Sequence, residues 1–148
     1  MTRNVICYVV NQTGQQFYTD NPKNNVWNGH TLISPQTIGS GTDTQKVFSY
    51  EKTSGSTVGV TGKVFYELNS GTYLQISFNN PYTQLLPEGT TQTYCDCFFY
   101  AGIIDVTENN VPSYYVDCVV ETDGKAWTTA NQNEVKNLTA TITIYNNA

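Results

Sequence analysis

The 148-residue sequence offers few side chains that could carry covalent chemistry. His30 is its one histidine, and no Gly-x-Ser-x-Gly, HExxH or other serine or cysteine nucleophile motif accompanies it. An acidic pair for glycoside cleavage could be drawn from Glu67, Asp96, Asp105 or Glu121, but any β protein offers such choices, so they specify nothing. Cys95-Asp96-Cys97 sets two thiols on one face of a strand, and Cys7, Cys118 and His30 could complete a zinc site. That spacing is not the Cys-x-x-Cys that wraps round zinc. Neither catalysis nor a metal or cofactor is therefore expected. Small buried core residues are the plainer reading of Cys7 and at least one other cysteine. A Cys97–Cys118 disulfide stays open, since pairing cannot be deduced from spacing.

The aromatic residues are more informative. Eleven Tyr, six Phe and two Trp exceed what a core of this size requires. Tyrosine joins an apolar ring to a polar tip, which suits lipid headgroups or sugars, where both kinds of contact are needed. Most of these rings are expected to be cross-strand sheet pairs. Tyr82, Tyr94, Tyr114 and Tyr115 stand apart because they fall in or beside loops.

Composition narrows the partners. Only 13% of residues are charged, while amide and hydroxyl side chains are abundant, as in a secreted or extracellularly acting β protein. With a net charge of −5 and seven basic residues scattered singly, the chain cannot neutralise a run of phosphates, so nucleic acid is not an expected partner. The same scarcity weakens electrostatic docking on anionic lipid. No apolar run approaches the ~20 residues of a membrane-crossing helix. Met1 to Gln12 has no small-residue cleavage site, so no secretory signal peptide is visible; either one has been removed or the protein leaves the cytoplasm by another route. Sequons stand at Asn11 and Asn137 and would matter only in a secretory pathway.

The elements that must position these residues read as strands. Val5 to Val10 is apolar on both faces, as in a doubly covered central strand, and Asn11 to Gly14 turns the chain towards a second strand, Gln15 to Tyr18. Asn28-Gly29 is a turn signal between Trp27 and His30, and Gln45 to Glu51 alternates. Thr57 to Tyr82 organises the rest: Val64, Tyr66 and Leu68 alternate with Lys63, Phe65 and Glu67, Asn69-Ser70-Gly71 supplies a tight turn, and Leu74, Ile76 and Phe78 alternate again up to Asn80-Pro81. Thr91 to Tyr100 is a further strand, with Phe98 and Tyr100 on one face and Cys97 and Phe99 on the other. Ser113 to Val120 follows Pro112, which could open a helix, although its β-branched and aromatic content favours a strand. Asp123-Gly124 is a turn, Trp127 to Lys136 has room for a short helix, and Leu138 to Tyr145 is a half-buried final strand. Short strands separated by turn signals every ~8–12 residues predict one all-β domain over residues 1–148, a β-sandwich with at most two short helices.

The central hairpin, GVTGKVFYELNSGTYLQISFNNPY, resembles that of the actinoporin-like cytolysins, in which a Gly-x-x-Gly opening leads to a strand ending in Phe-x-x-Pro-Tyr. The likeness spreads more weakly from Asn4 to about Tyr82, and it extends to the related fungal fruit-body lectins; aegerolysins are looser relatives in kind. It implies an actinoporin-like sandwich and a phosphocholine pocket. Carried over position by position, it assigns Asn79 and Pro81, with Tyr82 following, to the Phe-x-x-Pro-Tyr segment and Thr61 to the Gly-x-x-Gly turn. Tyr114 and Tyr115 would occupy the family's tyrosine-rich helix. Departures are plain: Asn79 stands where the family has serine, and Thr83 to Gly89 replaces a Trp-rich membrane loop. Only four residues precede Val5, so the inserting amphipathic helix, and pore formation through it, are not expected.

Three readings follow. The first is a binder of lipid headgroups on a cell surface, using Thr61, Asn79, Pro81, Tyr82, Tyr114 and Tyr115. The second is a lectin that takes a glycan on polar side chains and one aromatic platform. In the third, exposed tyrosines pack copies of the chain into a homo-oligomer. Fold alone does not choose among them.

Overall fold

The computed structural model describes residues 3–19, 25–53, 59–81, 97–106, 113–128 and 135–147. Tyr82, Tyr94, Cys95, Asp96, Pro112 and the 83–89 loop therefore lie outside the described residues. Those described form β1 (Asn4–Asn11), β2 (Tyr18–Thr19), β3 (Val26–Asn28), β4 (His30–Ile33), β5 (Gln45–Glu51), β6 (Val60–Asn69), β7 (Thr72–Asn80), β8 (Phe98–Asp105), β9 (Tyr114–Thr122), β10 (Lys125–Ala126) and β11 (Asn137–Asn146). One sheet has the order β10-β9-β11-β1-β5-β4, the other β2-β6-β7-β8 with β3 also on β6. β1 runs parallel to β11, from Asn4 opposite Asn137 to Asn11 opposite Ile144, and the other ladders among the described residues are antiparallel. The sheets pack face to face as a β-sandwich, and no helix occurs among the described residues.

The β6–β7 hairpin forms as its alternation requires. Ser70-Gly71 is the loop, with Gly71 at φ +84°, and β7 ends at Asn80, one residue before the proline that cannot donate to a ladder. β11 buries Leu138, Ala140, Ile142 and Ile144, as its pattern predicts. At the other hairpin Asp123 (φ +51°) and Gly124 (φ +81°) are both left-handed, the geometry of a type I′ turn joining β9 to β10.

Three expectations are corrected and one turn gains its place in the fold. β1 buries only Val5, Cys7, Val9 and Asn11; Ile6, Tyr8 and Val10 face outward half-buried, so the strand is central but covered on one side. Tyr114 to Thr122 is a strand and not a helix, because β11 offers it a complete ladder from Thr122 opposite Leu138 to Tyr114 opposite Asn146. β8 runs on through Ala101-Gly102-Ile103-Ile104, every residue opposite one of β7. Asn28-Gly29 is the turn that its residues signal, and it is the corner where the chain changes sheets, since β3 pairs with β6 and β4 with β5. Gly29 sits at φ +128°, and a Cβ there would lie 2.8 Å from the Glu51 carbonyl oxygen.

Two smaller readings are settled by burial. Asn11 is fully buried; its Nδ2 donates to the Gln15 and Gly39 carbonyls and its Oδ1 accepts from the Thr13 amide, so its sequon shapes a turn. Cys118 carries a free thiol, so no Cys97–Cys118 bridge forms, and Cys7 and Cys97 are both buried.

The core is aromatic where the sheets meet. Phe48 and Tyr50 of β5 pack on Phe78 of β7 at ring separations of 5.4 and 5.6 Å, and Phe99 of β8 closes on Phe78 at 5.8 Å. Trp27 of β3 stacks on Tyr50 at 5.1 Å. Gly62 lies between Trp27 and Phe78 in register, and a Cβ on it would meet Phe78 Cζ and Trp27 Cβ at 2.8 Å and the Val26 carbonyl oxygen at 2.6 Å. Gly62→Ala is accordingly expected to cost about 1–3 kcal/mol, the scale of overpacking in a filled core. Gly41→Ala, where nothing lies within 4 Å, should change stability by less than about 0.5 kcal/mol. Urea unfolding of the two variants measures the contrast.

Candidate functional site

Strand register brings the hairpin candidates together. Asn28, Thr61, Asn79 and Phe98 form one cross-strand row over β3, β6, β7 and β8, and Val26, Lys63, Ser77 and Tyr100 form the next. Residues two apart share a face, so both rows lie on the outer surface of this sheet. Between them lies the row Trp27, Gly62, Phe78, whose side chains belong to the core face. A hollow of about 360 Å³ forms there, walled by Val26, Asn28, Thr61, Lys63, Ser77 and Phe98 and reaching Trp27 and Phe78. The volume lies within the ~300–1,000 Å³ range of small-ligand sites.

Its walls have distinct chemistry. Val26 and Phe98 supply exposed apolar surface, while the Lys63 ammonium is exposed. The Thr61 hydroxyl donates to the Phe78 carbonyl at 3.2 Å, and Ser77 Oγ accepts from Gln75 Nε2 at 3.1 Å. Trp27 is held by its stack on Tyr50 and by an Nε1–H bond to Thr31 Oγ1 at 3.1 Å. Such a site can take a group with an apolar flank and an anionic or hydroxylated end. Pro81 follows directly where the ladder stops.

Tyr114 and Tyr115 do not join this hollow. They line a second one of about 410 Å³, with Ala101, Gly102, Ile103, Asp105 and Val116, where β8 of one sheet faces β9 of the other. Being neighbours on a strand, their rings point to opposite sides. Tyr114 is buried edge-on against Phe17 at 5.6 Å, and its hydroxyl donates to Gln15 Oε1 at 2.6 Å. Tyr115 faces outward and stacks on Tyr145 at 5.0 Å. Thr61, Asn79 and Pro81 therefore form one group and the two tyrosines another. Val26, Lys63 and Trp27 are wall residues that the sequence reading did not single out; their signal was the alternation of β3 and β6 beside a glycine.

The buried ionisable groups are held neutral. Burial pushes the Cys7 thiol well above its ordinary value, with Cys118 adding to it. Burial likewise raises Cys118 to about 11 and holds the Tyr50 and Tyr66 hydroxyls above the usual tyrosine range. None of these is an activated nucleophile.

No family model matches the chain, and no curated protein matches it. Among solved structures, the crystal structure of the lipid binding protein Nakanori matches with a TM-score of 0.62 and 12% sequence identity, over 96% of this chain and 70% of that one. At that identity the likeness establishes a shared fold.

Stability should respond to alkali. The raised groups ionise at lower pH in the unfolded chain than in the folded one, so their contribution is complete below the ordinary cysteine value of 9.0 and is lost as pH rises through about 11. Melting temperature is expected to be level from about pH 6 to 8 and to fall steadily above about pH 9, as thermal scans across that range would read.

Proposed function

We propose that the protein is a membrane-lipid headgroup binder of the actinoporin-like kind, acting at a cell surface without catalysis. The observation that carries this reading is the hollow at Gly62, since Thr61 lines it and Asn79 stands opposite Thr61 on β7. Those are the hairpin positions that the family resemblance assigns to headgroup contact. A zwitterionic phosphodiester fits the walls: its phosphate oxygens would meet the Lys63 ammonium and the Ser77 hydroxyl, while its apolar part rests on Val26 and Phe98. The fold shared with a lipid binding protein adds support. Tyr82, next after Pro81 in the chain, is proposed as a further contact, while Tyr114 and Tyr115 belong to the second hollow.

The test is co-sedimentation with vesicles of phosphatidylcholine, with and without sphingomyelin, beside a glycan array. Wild type is expected to pellet with at least one of them. Phe98→Ala should bind about five- to tenfold more weakly, the loss of one aromatic contact, with its melting temperature little changed because the ring is exposed. A protein that ignores every vesicle and is retained by glycans would overturn this reading in favour of a lectin.

A further inference from the structure

Three of the sandwich's four lateral edges end in short strands: β10 has two residues, β4 four, and β2 and β3 on β6 have two and three. Short edge strands leave few open amides and so discourage pairing with another chain. β8 is the exception. It is eight residues long, stays in unbroken register with β7, and carries no charged residue before Asp105 and no proline. Among the described residues no strand pairs with its other side. On its outer face Phe98, Tyr100, Ile104 and the following Val106 are 39%, 58%, 37% and 61% exposed.

The backbone is oriented for pairing. The Val106 amide donates to the Gly71 carbonyl at 2.8 Å, on the β7 side. Alternation then turns the N–H and C=O groups of Ala101 and Ile103 away from β7. We propose that β8 is the edge through which two copies of this chain pair, antiparallel about a two-fold axis at Gly102. In this register Ala101 and Ile103 exchange backbone hydrogen bonds with the same two residues of the second copy in reverse order. On the outer face Phe98 meets Val106 and Tyr100 meets Ile104, an aromatic ring beside an aliphatic chain each time. At the axis, a Cβ on Gly102 would lie 2.5 Å from the Tyr100 hydroxyl and 2.9 Å from its ring, so the ring lies flat over the glycine.

A second copy is favoured because the edge complements itself under a two-fold axis. The charges permit it as well: the two Asp105 carboxylates fall six residues apart along the joined strands, about 20 Å, so no like charges meet. The contact is small beside the roughly 800 Å² per partner of a stable interface, so a dissociation constant in the micromolar range is expected. The axis stands perpendicular to the sheet, and both copies then present the same outer face, each with its Gly62 hollow, to one side. This consequence rests on the membrane reading and would strengthen attachment through bivalency. The pairing itself does not rest on it.

Sedimentation equilibrium without lipid, from about 5 to 500 μM, tests the proposal over the range where micromolar association shows. Wild type should pass from monomer to dimer. Ile104→Lys should weaken association at least tenfold, and Val119→Lys, exposed on the other sheet, should leave it unchanged. Circular dichroism confirms folding, and Tyr100→Glu replaces Ile104→Lys if that variant does not fold. A wild type that stays monomeric throughout overturns the proposal. So does a dimer that survives charge on β8, or one that Val119→Lys disrupts equally. Because no lipid is present, these outcomes are independent of vesicle binding.

Discussion

Phe78 needs room on every side, and most of the sandwich is arranged to give it. Its ring lies 5.4 Å from Phe48, 5.6 Å from Tyr50 and 5.8 Å from Phe99, so strands from both sheets converge on one side chain. Each such pair adds about 0.5–1.5 kcal/mol to the burial of the rings themselves. On its fourth side the ring, with Trp27, fills the space where a Cβ on Gly62 would stand, so that residue can carry no side chain. The hollow lies on the opposite, outer surface of the same strands, so the packing of Phe78 fixes the backbone on which the candidate site is built. Two residues beyond Phe78, Asn80 is fully buried and its Nδ2 donates to the carbonyls of Asn4 and Val135 at 3.1 and 3.0 Å. That pair of bonds ties the end of β7 to the other sheet, next to the hollow.

What could be read in the sequence followed how local each contact is. The β6–β7 hairpin and β11 declare themselves by period-two alternation, because one face is buried and the other is not. Thr61 and Asn79 could be grouped for the same reason: they are opposite residues of one hairpin. Tyr114 and Tyr115 could not be separated from them, since the ladder that makes β9 a strand comes from β11, some twenty residues later in the chain, and it was the family resemblance, not the residues, that put them on a helix beside the hairpin. Asn28-Gly29 was legible as a turn but not in its purpose. The dipeptide announces a sharp change of direction, but whether β3 and β4 then pair with each other or with different sheets depends on β6 and β5. Local residues specify the corner and distant strands decide its meaning.

The two outer faces of the sandwich differ in a way that bears on orientation. The six-stranded sheet presents Thr139, Thr141 and Thr143 along β11, flanked on β9 by Asp117, exposed Val119 and Glu121, with the Tyr115–Tyr145 stack at one end and the Lys46 ammonium 5.7 Å over the Tyr8 ring. Hydroxyls and charges of both signs separate its apolar groups. The other sheet presents Phe65, Tyr73, Phe98, Tyr100 and Ile104 among Lys63, Glu67 and Gln75. A contiguous outer surface of this kind is uncommon unless something covers it, and its rings with polar tips suit the boundary between water and lipid. Because register fixes the face of every side chain, a one-residue slip of β7 against β6 would turn Phe78 outward and Ser77 inward, destroying the core and this surface together. The polarity of the molecule is therefore guarded by the packing of Phe78, and a sequence that folds at all presents its aromatic face on the side where the Gly62 hollow opens.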